Sequence, residues 1–157
     1  MKASALKYKL IFALLLCAVT GMAQFKPLPV ARADSLMKRE ERPMLVLITA
    51  DWCTYCFLQK QQISKSKNLQ KRAEDFYLLE LNADEKEALR FRSGLYRYTK
   101  SGWHGVHELA VALNGSERLT FPTWVALDKN YRVIFRYAGV LKQDKLLEVV
   151  DAIATRK

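Results

Sequence analysis

The chain is expected to be an α/β protein with a central mixed sheet flanked by helices. Three observations carry this expectation. Met44–Ile48 is continuously apolar and follows Pro43, the pattern of a strand buried on both faces. Phe76–Asn82 is a second mostly apolar run, separated from the first by a stretch rich in helix formers. Strand, helix, strand in that order implies a right-handed parallel crossover. Farther on, Tyr131, Val133 and Phe135 alternate with Arg132 and Arg136, which fits an antiparallel partner strand with one exposed face. With 157 residues, 50% hydrophobic and 27% charged, the chain is sized for one domain around a single core.

The elements are justified in order along the chain. Lys2, Lys7 and Lys9 precede the apolar run Leu10–Thr20, and Gly21-Met22-Ala23 offers small residues for cleavage. Residues 1–23 therefore read as a secretory signal peptide, and the apolar run is short of the roughly 20 residues a membrane span needs. No stable membrane span is expected after cleavage, and the mature protein is expected in the periplasm or secreted. Residues 24–33, with Pro27 and Pro29, read as an extended lead-in, and residues 34–157 as the folded domain. Asp34-Ser35 is expected to cap a short helix that ends near Glu41.

After the first strand comes Trp52-Cys53-Thr54-Tyr55-Cys56, opening a helix over Phe57–Ile63. A second helical piece covers Lys67–Glu74. Beyond the second strand, Glu85–Phe91 reads as a helical turn, and Ser93-Gly94 as the turn of a small hairpin. Lys100–Gly105 reads as a loop. Val106–Leu113 reads as a helix with Val106, Leu109, Ala110 and Leu113 on one face, ended by Asn114-Gly115. Phe121–Leu127 is a strand with Pro122 near its start, where a missing N–H is tolerated. Asp128-Lys129-Asn130 is a turn. Gln143–Ala154 is amphipathic through Leu146, Leu147, Val150 and Ile153.

Removal of the leader takes away three lysines and no acids, so the formal charge falls from +10 to +7. The basic residues are spread along the chain. No basic run with interleaved aromatics is dense enough to argue for nucleic acid, and no nucleic-acid partner is expected. Cys17 leaves with the leader, so Cys53 and Cys56 remain as an isolated pair outside the reducing cytosol. The loop they close is too short for the bond to matter as a staple, so reversible chemistry explains the pair better.

At a helix start, free N–H groups and the helix dipole favour the Cys53 thiolate. Cys56 lies one turn on, placed to resolve a mixed disulfide formed by Cys53. No cofactor beyond the dithiol is required. A competing reading uses metal: Cys53, Cys56, His104 and His107 are formally a two-Cys, two-His zinc set, although the intervening stretch is far longer than in a compact finger. Phe57 stands where a c-type haem motif needs histidine. A third reading is a non-catalytic binding module that holds a partner through its basic rim or its loop-rich middle segment.

Ala50-Asp51-Trp52-Cys53-Thr54-Tyr55-Cys56, Phe121-Pro122-Thr123 and Val133–Val140 together resemble the thioredoxin superfamily, over roughly residues 34–155. The Ala-Asp-Trp-Cys form is similar to the C-terminal thioredoxin-like domain of the periplasmic electron-transfer protein DsbD. Trp103–Ala110 is similar to a segment of exported bacterial thioredoxin-like proteins. The resemblance implies a thioredoxin fold with an insertion before the cis-proline strand. It also implies thiol–disulfide exchange with protein thiols and disulfides, in concert with a further redox partner. Pro122 would be cis and face the disulfide. The Phe121 backbone would pair with an extended substrate, and Trp52 would flank the nucleophile. Two departures bear on mechanism. Leu47 stands where thioredoxin carries a buried Asp, and Glu80 stands where it often carries Lys. Glu80 is therefore a candidate proton relay. Thr54-Tyr55 matches neither thioredoxin's Gly-Pro nor the Pro-His of the oxidant DsbA, so the dipeptide assigns no direction. The DsbD-like motif favours reduction.

Overall fold

The computed structural model describes residues 25–101 and 104–155. The expected signal peptide, residues 1–23, lies outside the described residues.

A five-stranded mixed sheet organises the protein, in the order β1-β3-β2-β8-β9. Its strands are β1 (Leu28–Pro29), β2 (Met44–Thr49), β3 (Tyr77–Asn82), β8 (Thr123–Leu127) and β9 (Val133–Ala138). β3 runs parallel to both β1 and β2, whereas β2·β8 and β8·β9 are antiparallel. The apolar run at 44–48 thus becomes a central strand, buried at every position.

Side chains alternate across that strand and split the core in two. Met44, Val46 and Ile48 face α1 (Ala33–Arg39) and α4 (Glu108–Asn114) through Ala33, Met37, Leu109 and Leu113. Leu45 and Leu47 face α2 (Thr54–Lys65), α3 (Lys67–Lys71) and α5 (Gln143–Ala154) through Ile63, Leu69, Leu146 and Val150. Burying one such aliphatic side chain is worth about 1.5–3 kcal/mol, and these two layers supply the core.

Several expectations need correction. The 24–33 segment is more than a lead-in. Leu28–Pro29 pairs with Leu79–Glu80 at the sheet edge, where proline is tolerated, and Val30–Arg32 forms a 3-10 turn. Asp34 and Ser35 lie inside α1, and Asp34 instead accepts hydrogen bonds from the Arg92 N–H and the Tyr131 hydroxyl. Residues 85–91 hold no helical turn. Leu89–Phe91 is β4, paired with β5 (Gly94–Tyr96) around Arg92-Ser93, with Arg92 at φ 58°. Phe91 is drawn into the core, which favours strand over helix here.

The expected loop at 100–105 belongs to a second hairpin, β6 (Tyr98–Ser101) and β7 (His104–His107). Val106 sits in β7, so α4 starts two residues later than its periodicity implied. Gly115 ends α4 at φ 73°, the left-handed position that glycine adopts without strain. Strand β9 does not show a clean polar face. Val133, Ile134 and Phe135 are all half-buried, because helices cover both faces of the sheet.

The extra length before the proline strand is therefore two hairpins preceding α4. The second is tied to the end of β3 by the His107 N–H donating to the Ala83 carbonyl at 2.9 Å.

Candidate functional site

The cysteine pair sits at the C-terminal end of β2. The turn before it is pinned by a short polar web. Asp84 accepts from the Asp51 N–H at 2.9 Å, and Asn82 donates to Asp51 at 2.8 Å. The Cys53 N–H returns to the Ala50 carbonyl at 3.1 Å. These bonds fix where β2 stops and α2 begins.

Cys53 is the N-cap of α2, with extended backbone at φ −86°, ψ 98°. Its Sγ accepts from the Cys56 N–H at 3.0 Å. This first-turn amide, which also donates to the Cys53 carbonyl at 3.1 Å, thus points at the sulfur, and it would stabilise a thiolate there. Cys53 and Cys56 form a disulfide with a Cα–Cα separation of 5.3 Å. The two sulfurs differ in access: Cys53 is 8% exposed and Cys56 2% exposed. That asymmetry gives an incoming sulfur easier contact with Cys53.

The Phe121–Pro122 peptide bond is cis. Phe121 packs against Ala50, Cys53 and Cys56, and Trp52 meets its ring edge-on at 5.6 Å. Trp52 itself is 74% exposed. The Pro122 carbonyl accepts from the Gly139 N–H at 2.7 Å, which fixes the proline turn to the end of β9. The structure thus brings together Trp52, Cys53, Cys56, Phe121 and Pro122.

Glu80 lies deeper. It pairs across β2·β3 with Leu47, and both lie on the sheet face covered by α2. Its Oε1 accepts from the Thr49 hydroxyl at 3.0 Å and from Lys60 Nζ at 2.8 Å. Lys60 stands one turn after Cys56 on the same helix. A half-buried carboxylate is therefore held beneath α2, where thioredoxin's acid would come from the neighbouring strand.

His107 falls to another task. His107 is fully buried and caps α4: its Nδ1 accepts from the Leu109 N–H, and its Nε2 bonds the Glu87 carbonyl, both at 3.2 Å. Both ring nitrogens serve backbone groups. Among the described residues, no group of three His, Cys, Asp or Glu side chains is arranged to hold a metal ion.

One structural residue has no obvious sequence signal. Gln59 reads as a solvent-facing helix former, yet it is fully buried. Its Oε1 accepts from the Leu141 N–H at 2.8 Å and the Trp124 indole at 3.4 Å, and its Nε2 donates to the Leu141 carbonyl at 3.2 Å. It bolts α2, and with it the cysteine pair, to β8 and to the segment entering α5.

Comparison with known proteins agrees with this architecture. Residues 27–104 match the model of the thioredoxin-like family. Thioredoxin F from spinach chloroplast superposes with a TM-score of 0.54 at 20% identity, covering 84% of this chain and 95% of that one. A thioredoxin from Thermus thermophilus gives 0.58 at 16% identity, covering 85% and 89%. A thioredoxin-fold protein from Helicobacter pylori gives 0.57 at 20% identity, covering 74% and 71%. No curated protein matches the chain. At these identities the likeness establishes the fold.

Proposed function

The chain belongs to the thioredoxin superfamily, and from that premise we propose that it is an exported thiol–disulfide oxidoreductase acting on protein substrates through Cys53 and Cys56, in the reducing direction. One observation carries the reading. The more accessible sulfur of the pair caps a helix and accepts a first-turn amide, beside a cis-proline wall.

The proposed cycle balances as follows. The Cys53 thiolate attacks one sulfur of a substrate disulfide, and the other substrate sulfur leaves as thiolate. Cys56 loses its proton and attacks Cys53 Sγ, so the second substrate sulfur departs. The protein ends with the Cys53–Cys56 disulfide and the substrate with two thiols, two electrons having moved. Renewal of the dithiol requires an external dithiol reductant. The substrate chain lies along Phe121, its backbone added beside the proline turn in the manner of an extra strand.

Glu80 is assigned the proton from Cys56. The hydrogen bonds from Thr49 and Lys60 both reach Oε1, which leaves Oε2 as the oxygen that takes the proton, relayed through water. Lys60 sits on the same helix as Cys56, so the pair stays in register with the thiol it serves.

The test is a redox titration of the Cys53/Cys56 pair against a dithiothreitol couple, with Cys56→Ser used to trap mixed disulfides. A reversible two-electron transition, lost in Cys53→Ser, is expected. A pair that stays oxidised at every poise, or a trap that captures no protein thiol, overturns the reading. A midpoint more oxidising than the proteins it is trapped with would reverse the assigned direction.

A further inference from the structure

A groove of about 890 Å3 opens beside the dithiol, within the size range of binding clefts. Trp52 and Phe121 form its near end. Its far side is built by the second hairpin and by α4 with the segment after it, through Val111 and Leu119. The chemistry of this lining is one-sided: Asp84, Glu108 and Glu117 contribute carboxylates, and no lysine or arginine is among the described lining residues. That sign is opposite to the +10 charge of the whole chain.

We propose that this groove docks an extended polypeptide segment carrying Lys or Arg close to the cysteine undergoing exchange. This rests on the function proposed above and names the substrate class for it.

The argument runs from the position of each carboxylate. Asp84 is held by the Asp51 N–H immediately before the cysteines, and Glu108 by the Arg97 N–H at 2.8 Å. Each of these contacts uses one lone pair of a carboxylate that offers about four, so acceptor capacity remains for an incoming cation. Glu117 is exposed and adds a third carboxylate to the lining. In the same lining, Val111, Leu119 and Phe121 provide apolar surface that suits the aliphatic stems of Lys and Arg.

Long-range repulsion from the basic surface does not cancel this. At physiological ionic strength the screening length is about 8 Å, so a side chain inside the groove responds chiefly to the carboxylates within that reach. A nearby cation of the protein, Lys86, stacks on the ring of the lining residue Tyr98, 3.3 Å from its centroid. It marks one edge of the acidic region. The Tyr98 ring packs close over Gly105, where a Cβ would collide with it.

The experiment uses three peptides identical except for two Lys, two Gln or two Glu residues beside a single cysteine, each presented as a mixed disulfide with 2-mercaptoethanol. The fully reduced protein is mixed with each, and tryptophan fluorescence follows the reaction. The Lys peptide is expected to react about threefold to tenfold faster than the Glu peptide, the gain from two exposed charge pairs, with the Gln peptide between them. Added salt should shrink the ratio, and Glu117→Lys should lower it several-fold. Equal rates for the three peptides, or a faster Glu peptide, overturn the proposal.

A second measurement separates this from the exchange reading. Cysteine-free Lys and Glu peptides are titrated against Cys53→Ala/Cys56→Ala. Tighter binding of the Lys peptide supports the groove even if no disulfide is reduced by the wild type, a result that would sink only the exchange reading. Equal or absent binding of both, with exchange intact, sinks only the groove.

Discussion

Replacing Gln59 with leucine tests how the cysteine helix is seated. The change keeps similar volume and removes every polar bond that Gln59 makes inside the core. Three buried groups lose a partner: the Leu141 N–H at 2.8 Å, the Leu141 carbonyl at 3.2 Å and the Trp124 indole N–H at 3.4 Å; the half-buried Gln62 Oε1 loses a fourth bond, of 3.3 Å, and turns to water instead. An orphaned buried donor or acceptor costs about 1–3 kcal/mol. The short Leu141 bond sits near 2 kcal/mol on that scale, and the carbonyl and the long indole bond near 1 kcal/mol each. Leucine returns about 1 kcal/mol through extra apolar burial. The expected net loss is about 3 kcal/mol, or roughly 10–15 °C in Tm for a domain of this size. Urea denaturation of the oxidised protein measures it as a lower midpoint at unchanged slope. The control is Gln61→Ala, an exposed position on the same helix, expected within about 0.5 kcal/mol of wild type. A Gln59→Leu loss below about 1 kcal/mol would refute the reasoning, because it would mean that the buried Leu141 and Trp124 groups do not depend on this side chain.

Other perturbations address the chemistry and the turns. Glu80→Gln should slow resolution of the mixed disulfide at least about tenfold and change its pH profile, with little change in initial attack by Cys53; stopped-flow exchange at several pH values reads both steps. An unchanged profile removes Glu80 from the mechanism. Asp128 is partly desolvated, which pushes its carboxyl up. Hydrogen bonds from the Arg132 and Asn130 amides and the Arg132 guanidinium outweigh that and hold it below the ordinary value of 3.8. Its stabilising contribution is therefore full above the ordinary value and is lost as pH falls through the lower folded value. Asp128→Ala should cost about 1–2 kcal/mol at pH 7 and less at pH 2–3, by denaturant titration at each pH. Gly115→Ala forces a side chain into φ 73° and against the Arg136 guanidinium, with an expected loss of about 1 kcal/mol in the same assay.

Much of the fold was legible because its signals are local. Met44–Ile48 is apolar without interruption, and only a strand covered on both faces tolerates that. Two cysteines three apart after such a strand announce a helix start, and the Phe-Pro-Thr segment completes the family pattern. Each signal survives without knowledge of distant contacts. The middle of the chain offered less. The strands Leu89–Phe91, Gly94–Tyr96, Tyr98–Ser101 and His104–His107 form short hairpins, and their pairing depends on neighbours such as Phe91 being drawn into the core. A three-residue strand carries too few alternations to be told from a turn.

The sequence by itself determined the layers, the cysteine pair and its place at a helix start. Periodicity, proline position and cysteine spacing are properties of neighbours along the chain. Tertiary structure alone decided three matters. It buried Gln59 against Leu141 and Trp124. It set Glu80 under the cysteine helix beside Lys60, with Leu47 opposite it across the strand pair. It also gathered Asp84, Glu108 and Glu117 along one groove. These partners come from segments far apart in the chain. A polar residue's role is set by what lies across from it, and no spacing rule encodes that.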